Sequence, residues 1–214
     1  MALDRPLKAV VVGAVESTTA TLEALRDHPH WRASALVTLP LSLAKRHSDF
    51  VDLRPVATDA GAAVIEAKDS NDPAVLDAVR AVGADWAFVV GWSQICKPEF
   101  RALFDDRVVG YNPAPLPMLR GRAVIPWTIL LDVKITGSSL FYLGDGVDDG
   151  DLIAQKFFHV ASDEPATPLY DRHIAALREL LADALDEIAD AAAAGRQPRR
   201  ADQNPRNRNW KAKR

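Results

Sequence analysis

The 214-residue chain contains a single cysteine, Cys96, which excludes a disulfide framework and a cysteine-rich zinc site and makes a reducing, cytoplasmic setting the expectation. Its five histidines (His28, His30, His47, His159, His173) show neither H-x-x-x-H nor H-E-x-x-H spacing, so no metal site is expected. Cys96 has no neighbour in sequence that would activate it as a nucleophile. No stretch approaches the roughly 18 uninterrupted apolar residues of a membrane span. The opening MALDRPLKAVVVGAV sets its charges too close to the apolar run for a signal peptide and reads as a first strand.

Glycines of the G-x-G-x-x-G kind are also missing. The turn Gly13-Ala14-Val15-Glu16-Ser17-Thr18-Thr19 has the strand, turn and helix order of a dinucleotide site but not its glycines, which argues against a Rossmann dehydrogenase. The hydroxyls of Ser17, Thr18 and Thr19 at a helix start are candidates for holding an anion or sugar, or simply for capping the helix.

What is present is a normal globular composition, 48% hydrophobic and 26% charged, in a chain long enough for one well-cored domain. Eight of its 26 basic residues but only one of its 29 acids lie from Arg196 onward, so the first 195 residues carry a net charge of −10. Nucleic acid is therefore disfavoured as a partner of residues 1–195, and 196–214 reads as a basic, solvated tail in which Trp210 marks a docked part.

Short Val-rich runs, Lys8–Gly13, Ala33–Thr38, Ala62–Glu66, Asp85–Gly91 and Arg107–Tyr111, look like strands buried on both faces. Capped or Pro-initiated helical segments alternate with them at Thr18–Asp27, Asp52–Ala60, Asn71–Val82 and Pro98–Phe104. This predicts an α/β fold with right-handed crossovers, an open, mostly parallel Rossmann-like sheet flanked by helices, and ligands beyond the carboxyl ends of the strands.

After Tyr111 come a Pro-rich loop Asn112–Arg122, a helix Ala123–Leu131, apolar runs Ser138–Leu143 and Leu152–Val160, and between these runs the acidic loop Gly144–Gly150. Apolar positions at Leu169, His173, Leu177, Leu180, Leu181, Leu185 and Ile188 predict a long amphipathic helix over about 167–194.

VVGWSQICKP (Val89–Pro98), GYNPAPLPMLRGRAVIPWTIL (Gly110–Leu130) and TGSSLFYLGDGVDDGDLIAQ (Thr136–Gln155), in that order, resemble the folate-dependent formyltransferases that act on glycinamide ribonucleotide, methionyl-tRNA and amino sugar nucleotides. The family pattern is N-x-H-P-S-L-L-P-x-x-R-G, then P-x-x-W, T-G-x-T and D-x-G-x-I-x-x-Q. The likeness spans roughly residues 8 to 190. It implies formyl transfer from 10-formyltetrahydrofolate to an amine through a tetrahedral intermediate, in a single domain over 1–195.

Aligning Pro113, Leu116, Pro117, Arg120 and Gly121 without gaps puts Asn112 where the family has its catalytic His, Gly110 where it has Asn and Ala114 where it has Ser. A rival alignment that makes Asn112 the family Asn deletes two residues and leaves Ala114 at the His position. The acid survives as Asp148, within Asp148-Asp149-Gly150-Asp151-Leu152. Asparagine donates a hydrogen bond but does not titrate, and loss of such a donor or acid slows a reaction by about 10²–10⁴.

Three readings of Asn112 stand: an oxyanion donor in a variant site with Asp148 as base, the mark of a native or engineered inactive form that binds folate or a nucleotide, or a site for another one-carbon reaction that needs no imidazolium. A turn residue before Pro113 is the bland reading. The resemblance further implies a pteridine against the backbone of Gln94, Ile95 and Cys96 and within Leu143–Asp148, including Gly144 and Val147, flanked by Trp92. Both segments are expected at one edge of the sheet. Ser17 and Thr18 face the acceptor side in relatives, Arg120 either anchors its loop or meets an anionic substrate, and Trp127 is expected in the core. The acceptor read from all this is a small-molecule amine, an amino sugar nucleotide or specialised metabolite. The residues leave open whether the chain forms a homodimer.

Overall fold

The computed structural model describes residues 3–46 and 49–203; His47, Trp210 and the tail from residue 204 lie outside them. The chain runs β1 (Leu7–Val12), α1 (Glu16–Asp27), β2 (Trp31–Thr38), a 3₁₀ turn (Leu41–Arg46), α2 (Arg54–Asp59), β3 (Ala63–Glu66), α3 (Pro73–Val82), β4 (Trp86–Val89), α4 (Pro98–Ala102), β5 (Val108–Asn112), α5 (Val124–Leu130), β6 (Ile135–Tyr142), β7 (Leu152–His159) and α6 (Ala166–Ala193). The seven strands form one sheet in the order β3-β2-β1-β4-β5-β6-β7. The first five are parallel, and β6 and β7 close it as an antiparallel pair.

Strand periodicity sorts the apolar residues to two faces. Ala9, Val11, Trp86 and Phe88 join α1, α2 and α6 residues such as Leu22, Leu25, Leu177, Leu181 and Ile188. Val10, Val12, Ala87 and Val89 join Val75 and Val79 of α3 with Phe100 and Phe104. That two-sided burial is why β1 and β4 read as unbroken Val-rich runs. All seven residues of the expected stripe on α6 are buried. Among the described residues no helix is long and apolar enough to cross a membrane.

Two expectations are corrected here. The side chain of Trp127 is 51% exposed on α5 rather than in the core, because α5 is short and buries only Val124 and Thr128. The supposedly solvated tail is docked as far as Gln203: Ala201 forms an isolated antiparallel bridge with Leu152, and Arg200 lies over the ring of Tyr142.

Candidate active site

The strand order reverses between β1 and β4, and the loops following β4 and β5 leave from the carboxyl end of the sheet, where open α/β sheets place ligands. A cleft of about 340 Å³ opens there, lined by Trp92 to Cys96, Tyr111 to Pro113, Gly121, Arg122 and the segment Leu143 to Asp148 among others. The segments Gln94–Cys96 and Leu143–Asp148 do not share a sheet edge, since β5 lies between β4 and β6 and the edge strand is β7. They meet because the loop after β6 doubles back. Strand β6 ends opposite Val109, yet Asp148 reaches Asn112 at the far end of β5.

Asn112 is 2% exposed. Its Nδ2 donates to Asp148 Oδ2 (2.5 Å) and to the carbonyl of Gly121 (3.3 Å), and the Gly121 N–H donates to the same Asp148 oxygen (2.8 Å). Two acceptors on one side fix the orientation of the amide. Both of its N–H groups are therefore engaged within the protein, and the atom left over is Oδ1, buried without a hydrogen-bond partner. This corrects the expectation of Asn112 as an oxyanion donor: in this arrangement its unpaired atom is an acceptor.

Gly110 is explained by space rather than by a missing function. A Cβ there would stand 2.7 Å from Leu143 Cδ2 and 2.8 Å from Phe141 Cζ, so these two side chains fill the volume a residue at 110 would need. Ala114 is buried, and its carbonyl accepts from the Ser139 hydroxyl (2.6 Å), which also receives Gln155 Nε2 (2.7 Å). Gln155, the last residue of the D-x-G-x-I-x-x-Q stretch, thus holds the Pro-rich loop.

Trp92, Gln94, Ile95, Cys96, Leu143, Gly144 and Val147 all border the cleft, as do Asn112 and Asp148. Trp92 Nε1 is buried without a partner, a donor to set against the Asn112 acceptor. Ile95 and Val147 are 66% and 56% exposed and present apolar surface at the rim. Burial pushes the Cys96 thiol up to about 11, against a hydrogen bond from Ser70, so it stays protonated and packs as an apolar group.

Ser17 and Thr18 are buried outside this cleft. The Thr18 hydroxyl donates to the Val90 carbonyl (2.7 Å) and accepts from the Val15 N–H (3.3 Å), so it staples the first turn to the end of β4 and is not available to an anion. Gly13 is needed for that contact, because a Cβ there would lie 2.1 Å from Val90 O. Arg120 points to Gln203, with Nε and Nη2 at 3.2 and 2.7 Å from Oε1, and so anchors its loop.

Three residues of the site carried no sequence signal as such. Asn71 donates to the Ile95 carbonyl (2.9 Å) and accepts from the Lys97 N–H (2.7 Å), fixing the wall after β4. Arg101 donates to the Gly144 carbonyl (2.6 Å) and pairs with Asp145, tying the acidic loop to α4. The third is Gln203. Their partners lie 24 to 83 residues away along the chain, where no local pattern reaches.

The family model described as "Formyl transferase" matches residues 7–185. The chain belongs to the formyl transferase family. It is 25% identical over 189 residues to a methionyl-tRNA formyltransferase of Agathobacter rectalis, covering 87% of this chain and 61% of that protein. Across two such relatives the chain spans 49% and 61% of their length. Among solved structures, the phosphoribosylglycinamide formyltransferase of Bacillus halodurans superposes with a TM-score of 0.74 at 18% identity, over 86% of this chain and 96% of that one. The sugar 3N-formyl transferase WlaRD, solved with dTDP and 5-N-formyl-THF, gives 0.71 at 16% identity, over 97% and 70%. The formyltransferase fold is therefore established.

Proposed function

We propose that this protein transfers a formyl group from 10-formyltetrahydrofolate to a small-molecule amine, an amino sugar nucleotide or a specialised metabolite. The observation that carries the reading is the Asp148 carboxylate held by Asn112 and Gly121 on the wall of the cleft. A reduced folate fits the residues present. Its flat heterocycle has apolar faces for Ile95 and Val147, and its edge offers an acceptor to the unpaired Trp92 N–H. Trp92 to Cys96 and Leu143 to Val147 would hold it, and when bound it supplies an activated formyl carbon.

The chain's own residues then have distinct tasks. As the amine nitrogen bonds to the formyl carbon, Asp148 takes the proton that the amine must lose, directly or through one water, and returns it to the folate nitrogen as the bond from that nitrogen to the formyl carbon breaks. Asn112 accepts a hydrogen bond from an N–H of that amine at Oδ1, which aims the nitrogen lone pair into the cleft. A small acceptor is favoured over a polyanion by the net charge of −10 on residues 1–195.

A second reading, folate or nucleotide binding without turnover, is favoured by one specific observation: both Asn112 N–H groups are engaged, leaving no side-chain donor there for an oxyanion. Calorimetric titration of 5-formyltetrahydrofolate separates the folate site from other ligands. Micromolar binding that weakens in Asp148→Ala is the expected result, and no binding would overturn the folate assignment. Assay of 10-formyltetrahydrofolate consumption with a panel of amino sugar nucleotides then separates the two readings. Asp148→Asn lowers turnover by about 10²–10⁴ if Asp148 is the base, while absence of turnover in the wild type with intact binding supports the binding protein.

A further inference from the structure

Residues 199–203 form a strap across the hairpin that carries Asp148. Ala201 and Leu152 exchange both backbone hydrogen bonds (2.9 and 2.7 Å), and the Arg200 guanidinium sits 3.9 Å from the centre of the Tyr142 ring. At the end of the strap Gln203 is 5% exposed, and every polar site of its carboxamide has a partner. Oε1 accepts from Arg120, while Nε2 donates to the carbonyls of Asp148 (2.9 Å) and Gly150 (2.7 Å). A guanidinium on one side and two carbonyls on the other leave only this orientation of the amide.

Asp148 has φ +48°, in the left-handed region that aspartate enters more readily than most residues but that still costs backbone energy. Its carboxylate is held by Asn112 and Gly121, and its carbonyl by Gln203. Gly121 immediately follows Arg120, the residue Gln203 holds from the other side. We infer that Gln203 is the positioning residue of the site: it pins the Asp148 backbone and, through Arg120, the Gly121 amide, so that the carboxylate and Asn112 stay in register. This residue lies beyond the 7–185 region of the family match. The inference rests on the proposed formyl transfer only for its effect on rate.

Gln203→Glu tests it with little change of shape, because the new side chain keeps an acceptor for Arg120 but loses both donors to the loop. Amide hydrogen exchange by NMR reads the Gly121 N–H, whose acceptor is Asp148 Oδ2. Each neutral hydrogen bond lost is worth about 2- to 13-fold in a local equilibrium, so losing two accelerates Gly121 exchange about 5- to 150-fold. Amides of β1 and β4 keep wild-type rates, and kcat falls at least tenfold with the KM for 10-formyltetrahydrofolate within about threefold, as expected for lost positioning rather than lost binding. Gln203→Leu, which keeps the volume, gives the same pattern if the acidic variant fails to fold. Unchanged Gly121 exchange in both variants would overturn the inference, as would faster exchange with wild-type kcat. Should the wild-type protein show no turnover, the proposed function fails, while the exchange result still decides whether Gln203 holds Asp148.

Discussion

Lowering the pH from 7.5 to 5.0 is a direct probe of the face of the sheet behind the site. His173 of α6 is 1% exposed, with Nδ1 2.9 Å from the Ser138 hydroxyl and Nε2 buried without a partner. Burial, with Arg172 adding to it and Glu164 opposing, lowers its pKa from 6.5 to about 4. The unfolded chain therefore takes up a proton that the folded protein excludes, and stability falls as the pH drops below about 6.5 and levels off near 4. At about 1.4 kcal/mol per pH unit this amounts to about 2 kcal/mol at pH 5.0 and about 3 kcal/mol in full. Asp85, Glu164 and Glu187, whose pKa values are lowered by arginine partners and backbone N–H groups, lose their contribution only as the pH falls through the acid range below about 4.5, so pH 5.0–7.5 isolates the histidine. Urea unfolding followed by tryptophan fluorescence at pH 5.0, 6.0 and 7.5 measures the slope. His173→Gln retains an amide for Ser138, does not titrate and gives a profile flatter by that amount. An equal slope in the variant, or a wild-type loss under about 0.5 kcal/mol, would refute the reasoning. The Ser138 hydroxyl also meets that of Tyr111 (3.1 Å), which adjoins Asn112, so His173 is linked through Ser138 to the end of β5.

Gly110→Ala forces a methyl against Phe141 and Leu143 and costs about 1–3 kcal/mol, read as a lower urea midpoint. Adding Leu143→Ala recovers at least 1 kcal/mol of coupling in a double-mutant cycle, and strict additivity would mean that the volume is not shared. Asn112→His, which puts the family's residue at the gapless position, lowers formyl turnover about 10- to 100-fold if the site is built around asparagine, because an imidazole cannot bond both Asp148 and the Gly121 carbonyl from one nitrogen as the amide does. A rise in turnover would instead mark a degraded site that retains the family's geometry.

The sheet was legible because its signals are local. The Val runs of β1 and β4 are unbroken since both faces of each strand are covered, and the α6 stripe from Leu169 to Ile188 repeats at the helical period. The cleft walls were legible from a different source, an ordered set of short motifs. What escaped was decided by contacts distant in sequence. The direction of β6 places the acidic loop at the wrong end of β5, and only its return, held by Arg101 at Gly144, brings Asp148 to Asn112. The docking of residues 200–203 carries no sequence signal, because the residues that dock most closely, Ala201 and Gln203, are uncharged and inconspicuous within a basic run that suggests solvent.

Gly110, Asn112 and Asp148 are best understood together. A site that had merely lost its histidine would be expected to leave a cavity or an unpaired carboxylate, since nothing maintains either side of a broken interaction. Here the Asp148 carboxylate has two donors, the volume beside Gly110 is filled by Phe141 and Leu143, and the loop carrying Asp148 is fastened by Arg101, Asn112, Gly121 and Gln203. Among the described residues that line the cleft, Trp92 Nε1 and Asn112 Oδ1 are a buried donor and a buried acceptor without partners. A buried polar atom without a partner costs about 1–3 kcal/mol, which a ligand that pairs it recovers on binding. On the proposed function the site is built around asparagine, with Trp92 Nε1 donating to the folate and Asn112 Oδ1 accepting from the amine, a role an anionic oxygen at the Asn112 position does not fill.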